Sequence, residues 1–222
     1  MDQPSTTFVV LTFFLGLLCS VFWPATKHLI TMAHEGSHAI AGSVTGGKVV
    51  SVAMRPDGSG VTTTTGEGPF LTALSGYVGP SVFGIVSATA LANGMDPNVV
   101  IWVTVVLMAV IFLRVRNLFG WLFILAAGTL FVMVAVNGSP TARQVFVYTW
   151  TWFLLLGGFV HTVETNLKSV GWSGDASALR KLTKLPRGFW GGLWWLATIA
   201  ALLYGGGLLI GVIDPPIGSH LR

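Results

Sequence analysis

Seven apolar stretches divide this chain, at 8–24, 29–44, 70–92, 99–113, 118–136, 145–160 and 189–212. Runs of about 17 to 25 apolar residues are long enough to cross a bilayer as helices. Lipid admits only helices and closed barrels, because every backbone polar group there must find its partner within the protein. The second and fourth stretches are short and lean on their flanks. Only 9% of the residues are charged and 53% are hydrophobic, whereas soluble domains carry about 25% charged residues. The sequence therefore predicts an all-α polytopic membrane protein, a bundle of about six to seven transmembrane helices set in a lipid bilayer. A chain of 222 residues holds one such bundle and not a large soluble domain as well.

The first stretch has no basic segment before it, and Trp23-Pro24 suits a turn at the membrane interface better than a cleavage site, so it is expected to stay as a helix. Cys19 is the single cysteine, which rules out an internal disulfide and a cysteine-based metal site. The net charge of +4 reads as loop residues that set topology, with no nucleic acid as partner. With the N-terminus in the cytoplasm, Lys48, Arg55, Arg114, Arg116, Lys168, Arg180, Lys181, Lys184 and Arg187 fall on the cytoplasmic side. Lys27, Arg143 and Arg222 fall outside. That is the orientation expected for a multi-pass protein of the cell membrane.

Two loops have structure of their own. Residues 48–65 gather β-branched side chains around Pro56-Asp57-Gly58, which predicts a short β-hairpin. Residues 163–188 are the most polar part. Their 176–185 segment is amphipathic, and Ser173 or Asp175 is placed to cap it.

Within the second apolar stretch stands His34-Glu35-Gly36-Ser37-His38. Positions i and i+4 of a helix lie one above the other, so both imidazoles can address one metal ion. Zinc favours such nitrogen ligands, and the adjacent Glu35 is placed to act as a general base towards water. Ionisable side chains at membrane depth are costly, so three together call for a function. Catalytic zinc takes three protein ligands and leaves a position open. Asp175, Glu164 and His161 are the candidates for the third, and Asp175 is favoured because it opens a helix on the side towards which the His34 helix runs.

The HExxH pair on an early helix, the β-rich loop after it and a helix bearing Gly79-Pro80-Ser81 resemble the site-2 protease family of intramembrane zinc metalloproteases, in particular its small bacterial branch. Gly174-Asp175-Ala176-Ser177-Ala178-Leu179-Arg180 keeps the aspartate of the family's third motif without its Leu-Asp-Gly. The Asn-x-x-Pro that commonly precedes it is absent, and Asn117 stands as its displaced counterpart. The resemblance implies a single integral-membrane metalloprotease domain over 1–222, with the cytoplasmic loop 163–188 carrying the third ligand. It also implies that His34, His38 and Asp175 hold Zn2+ and that Glu35 is the general base and later the proton donor. Gly79, Pro80 and Asn117 are candidates for substrate binding. The implied activity is peptide-bond hydrolysis in or near the membrane span of a single-pass substrate, such as an anti-sigma factor or a signal-peptide remnant.

Competing readings use the same residues. A membrane transporter or metal-handling protein would bind a travelling ion at the histidines, but such proteins often show repeated halves, and none is visible here. Gly79-Pro80 is also what a kink or a close helix contact requires. His161 with Glu164 reads as an interface pair, His28 and His220 as boundary and tail residues, and Trp190, Trp194 and Trp195 as an aromatic belt. The run Thr62 to Thr65 reads as ordinary strand or loop sequence.

Overall fold

The computed structural model describes residues 4–167 and 174–216, so Lys168, Ser173, His220 and Arg222 lie outside the described residues. All seven apolar stretches are helical. The helices are α1 (Thr6–Val21), α2 (Trp23–Val44), α3 (Pro69–Ala92), α4 (Pro97–Phe112), α5 (Leu118–Asn137), α6 (Pro140–Leu167), α7 (Gly174–Thr183) and α8 (Arg187–Leu209). Local chemistry sets several boundaries. Ser5 accepts from the Phe8 amide to cap α1 and Asp96 accepts from the Asn98 amide to cap α4. Proline opens α3 and α4, where its missing N–H would have had no helical partner.

Helices α3, α5, α6 and α8 are each long and apolar enough to cross a membrane, and α4 is a shorter apolar helix. The chain bends by 99° between α1 and α2. Pro24 stands in the first turn of α2, where it can begin a helix but cannot continue one from the preceding residues. The contacts along α6 show where this bend leads. Phe8 meets Tyr148, Phe13 meets Trp152 and Trp23 meets His161, so α1 runs parallel to α6. Tyr77 stacks on His161 and Ser87 bonds Thr151, so α3 runs antiparallel to α6. Helix α2 therefore starts beside the C-terminal end of α6. Its own C-terminal part, at Gly42, lies against Thr72 near the start of α3, at that same end of the bundle.

This corrects one expectation. The stretch 29–44 is the second half of a bent helix pair, and it begins and ends at the same end of the bundle. Apolarity alone could not reveal this, because a buried helix lying across a bundle has the same composition as one that crosses a membrane.

The expected hairpin is present as β1 (Lys48–Met54) and β2 (Gly60–Thr65), antiparallel, with an irregularity between Val49 and Ser51. It folds back along α2. Its turn meets the first part of that helix, where Lys27 donates to the Asp57 carbonyl, Thr31 to that of Gly58, and His28 Nε2 lies 3.2 Å from that of Pro56. Lys27 and the hairpin, which the loop-charge tally places on opposite sides, are therefore neighbours. The outer edge of β1 is closed by the α4–α5 loop. The Val52 amide donates to Arg114 and the Arg116 amide to Val52. Asn117 then bonds both the amide and the carbonyl of Met54.

Candidate metal centre

His34 and His38 stand one turn apart on α2, and their rings meet edge to face with Nε2 atoms 3.0 Å apart. Asp175, in the first turn of α7, brings Oδ2 to 3.1 Å from His34 Nε2 and 3.3 Å from His38 Nε2. The apolar face of α7 positions that turn: Ala176 and Leu179 are fully buried against Ala73, Tyr77, Trp190 and Trp194. Among the described residues these three form a group able to hold a metal ion.

Three observations fit the donors to zinc. A tetrahedral ion with ligands at about 2.0–2.1 Å has neighbouring ligands roughly 3.3 Å apart, close to the triangle seen here. His38 Nδ1 lies 2.6 Å from the Thr72 carbonyl. Donation there fixes the tautomer and leaves the Nε2 lone pair for a metal. Gly76 of α3 supplies the third: a Cβ at this position would fall 2.5 Å from His38 Nε2 and 2.6 Å from His34 Nε2. The absence of a side chain keeps open the space in front of both nitrogens.

Glu35 is 3% exposed and lies beside this group without joining it. The Thr62 hydroxyl of β2 is 2.6 Å from its Oε2, and a Cβ on Gly60 would fall 2.5 Å from its Oε1. The hairpin thus holds the carboxylate in place and closes over it. Burial alone would raise the Asp175 carboxyl, but hydrogen bonds to His34 and His38 outweigh it and hold the group below its ordinary range.

The other sequence candidates are distributed as follows. The ring of His161 lies 5.1 Å from that of His34 and stacks on Tyr77 at 5.1 Å, beside the three-ligand group rather than in it. Glu164 accepts from the Trp23 indole. Gly79 sits at the α2–α3 contact, where a Cβ would fall 1.7 Å from Ser37 Oγ, and Pro80 is buried within α3. Asn117 is engaged with Met54. Trp190 and Trp194 are buried in the small core around α7, while Trp195 is more exposed. Sequence reasoning passed over Gly76, Gly60 and Thr72, and read Thr62 as ordinary strand or loop sequence. Only Gly76 left a trace, as a small residue three positions before Gly79 on the helix face that packs against α2.

An apolar cavity of about 490 Å³ lies on the other face of α2, lined by Ala33, Gly36 and Ile40 of that helix, and has no part in the metal group. No curated protein and no solved structure matches the chain. Residues 7–205 match the family described as Peptidase M50B-like. With that match over most of its length and a multi-pass helical fold, the chain belongs to the M50B branch of the site-2 protease family, the intramembrane metalloproteases.

Proposed function

We propose that this chain is a zinc-dependent endopeptidase that cuts single-pass membrane proteins, of the anti-sigma-factor or signal-peptide-remnant kind, in or near their membrane span. The observation that carries the proposal is the triangle of His34, His38 and Asp175 with edges of 3.0 to 3.3 Å beside a buried glutamate. Zinc held there would polarise the scissile carbonyl and acidify water, so no serine or cysteine nucleophile is needed. Glu35 takes the proton of the attacking water and returns it to the leaving amine, and Thr62 orients that carboxylate.

The substrate must present an extended backbone, since a helix hides its carbonyls. The hairpin offers a place for it. The Arg55 amide bonds the Ser59 carbonyl, and 53 with 61 and 51 with 63 continue that alternation. The backbone groups of Gly60, Thr62 and Thr64 therefore point away from β1. A peptide added along this edge runs past Glu35.

The course of α2 supports one orientation over the other. With α1, α3, α4, α5, α6 and α8 as the crossings, the N-terminus lies on the face opposite the hairpin, Arg116 and α7. The positive-inside rule then puts the hairpin, α7 and the nearby metal centre on the cytoplasmic side and the N-terminus outside. The proposed N-terminal placement is thus the opposite of the one expected from the sequence. The transporter reading gains no support, since α1–α2 is the one broken helix pair among the described residues and has no counterpart in a second half.

The test is Glu35→Gln with a reconstituted membrane substrate. Cleavage should fall at least about 100-fold while zinc content stays at the wild-type level. Undiminished cleavage would remove Glu35 from the mechanism, and a purified protein that binds no zinc would remove the metal.

A further inference from the structure

Helix α7 has two ends with different chemistry. Its first turn carries Asp175, and its last turn carries Arg180 and Lys181. Together with Ser177, Lys184 and Arg187 these line a concavity of about 480 Å³. No carboxylate lines it, and none of its four basic side chains has an acidic partner among the described residues. The Nε atom of Arg187, one of these residues, is buried without a hydrogen-bond partner. Four cationic side chains lining one concavity with no carboxylate among them favour an anion there.

The surroundings indicate which kind. Arg187 opens α8, a helix of membrane-crossing length. The cluster therefore sits at the level where a span leaves the apolar layer. Leu182, Leu185 and Phe189 alternate with these basic residues in sequence and are 49%, 40% and 49% exposed. A basic concavity whose residues alternate with exposed apolar side chains matches a phospholipid, with its phosphate among the cations and its chains against the leucines and phenylalanine. A free phosphate would leave those side chains in water, and an acidic peptide offers nothing for them at membrane depth.

We propose that the α7–α8 corner is a docking site for the headgroup of an anionic membrane phospholipid, and that the bound lipid seats α7 so that Asp175 faces His34 and His38. The second half rests on the metal-centre reading above. The coupling is mechanical. The helix spans ten residues, its apolar face is held by Ala176 and Leu179, and holding its last turn against the bilayer restricts the first.

The experiment uses the full chain in nanodiscs of phosphatidylcholine alone or mixed with phosphatidylglycerol. Lipid retention is read by native mass spectrometry, and zinc affinity by competition with a chelator. Wild type should retain phosphatidylglycerol selectively and bind zinc several-fold more tightly when that lipid is present. Each cation near a membrane surface contributes roughly fivefold to partitioning, so the combined Arg180→Gln, Lys181→Gln, Lys184→Gln and Arg187→Gln variant should lose at least about tenfold in lipid selectivity. It should also lose the zinc response, while melting as wild type does in phosphatidylcholine.

Equal retention of the two lipids by wild type would overturn the docking site, as would undiminished selectivity in the variant. Inorganic phosphate reproducing the zinc effect in phosphatidylcholine discs would show a free-anion site instead. Selective lipid binding with unchanged zinc affinity would overturn the coupling to Asp175. Absence of zinc in every lipid mixture would refute the metal centre and the coupling together, while the retention measurement still decides the docking.

Discussion

In the first turns of α3, Gly76 faces Nε2 of both His34 and His38, and three residues on Gly79 faces Ser37. The two glycines look alike in sequence but meet different obstacles. A methyl at Gly76 would press on the tips of two imidazoles, which can swing aside. A methyl at Gly79 would fall within 2.4 Å of Ser37 Cβ, where the helices themselves must part. Gly76→Ala should therefore leave the metal-free protein folded and lower zinc affinity about 10- to 100-fold, the range for disturbing what surrounds a metal. Gly79→Ala should do the reverse, lowering the melting temperature while whatever remains folded still binds zinc. Zinc titration and thermal melting in one detergent separate the two, and wild-type zinc affinity in Gly76→Ala would refute the role assigned to that glycine. The close helix contact at Gly79 was among the readings open to the sequence, but the role of Gly76 was not. A histidine pair at i and i+4 announces ligands, but an empty space opposite them leaves no mark beyond a small residue, and the pairing of Thr62 with Glu35 joins positions 27 apart.

At the level of elements, the hairpin is a two-stranded sheet of the kind that is marginal by itself, and its stability comes from what covers its edge. Asn117 takes the place of a further strand: its carboxamide accepts from the Met54 amide and donates to the Met54 carbonyl, as a peptide group would. Met54 is 0% exposed, so no water can replace that partner. Asn117→Ala should cost about 1–3 kcal/mol for the stranded polar groups and make the Arg55–Ser59 turn sensitive to added protease. Limited proteolysis and melting would report both. If the variant melted normally and lost only turnover, Asn117 would instead act on substrate, the role its displaced motif suggests. The strands were readable from β-branched residues around Pro56-Asp57-Gly58 because turn chemistry is local. The closure of the edge was not, because it joins residues 63 apart.

Across the whole molecule, apolar runs identify helices but say nothing of their tilt, and α2 shows the consequence. Counting it as a crossing puts the N-terminus on the same face as the hairpin and α7. Counting it as a helix that returns puts the N-terminus on the other face, with Asn93 and Ser139. The returning arrangement also explains how an ionisable cluster survives in an apolar protein. Because α2 stays at one end of the bundle, His34, Glu35 and His38 lie about two turns of α3 from its start, within reach of α7 and of water from that face. The arrangement can be tested by single cysteines in a Cys19→Ser background. Ser5→Cys, Asn93→Cys and Ser139→Cys should react together with a membrane-impermeant maleimide from one side of sealed vesicles. Glu67→Cys, Arg116→Cys and Lys181→Cys should react only from the other side. The informative pairing is Ser5 with Ser139: labelling of Ser5→Cys alongside Glu67→Cys would mean that α2 crosses after all, and the proposed metal centre would then have to draw its water from deep within the bilayer.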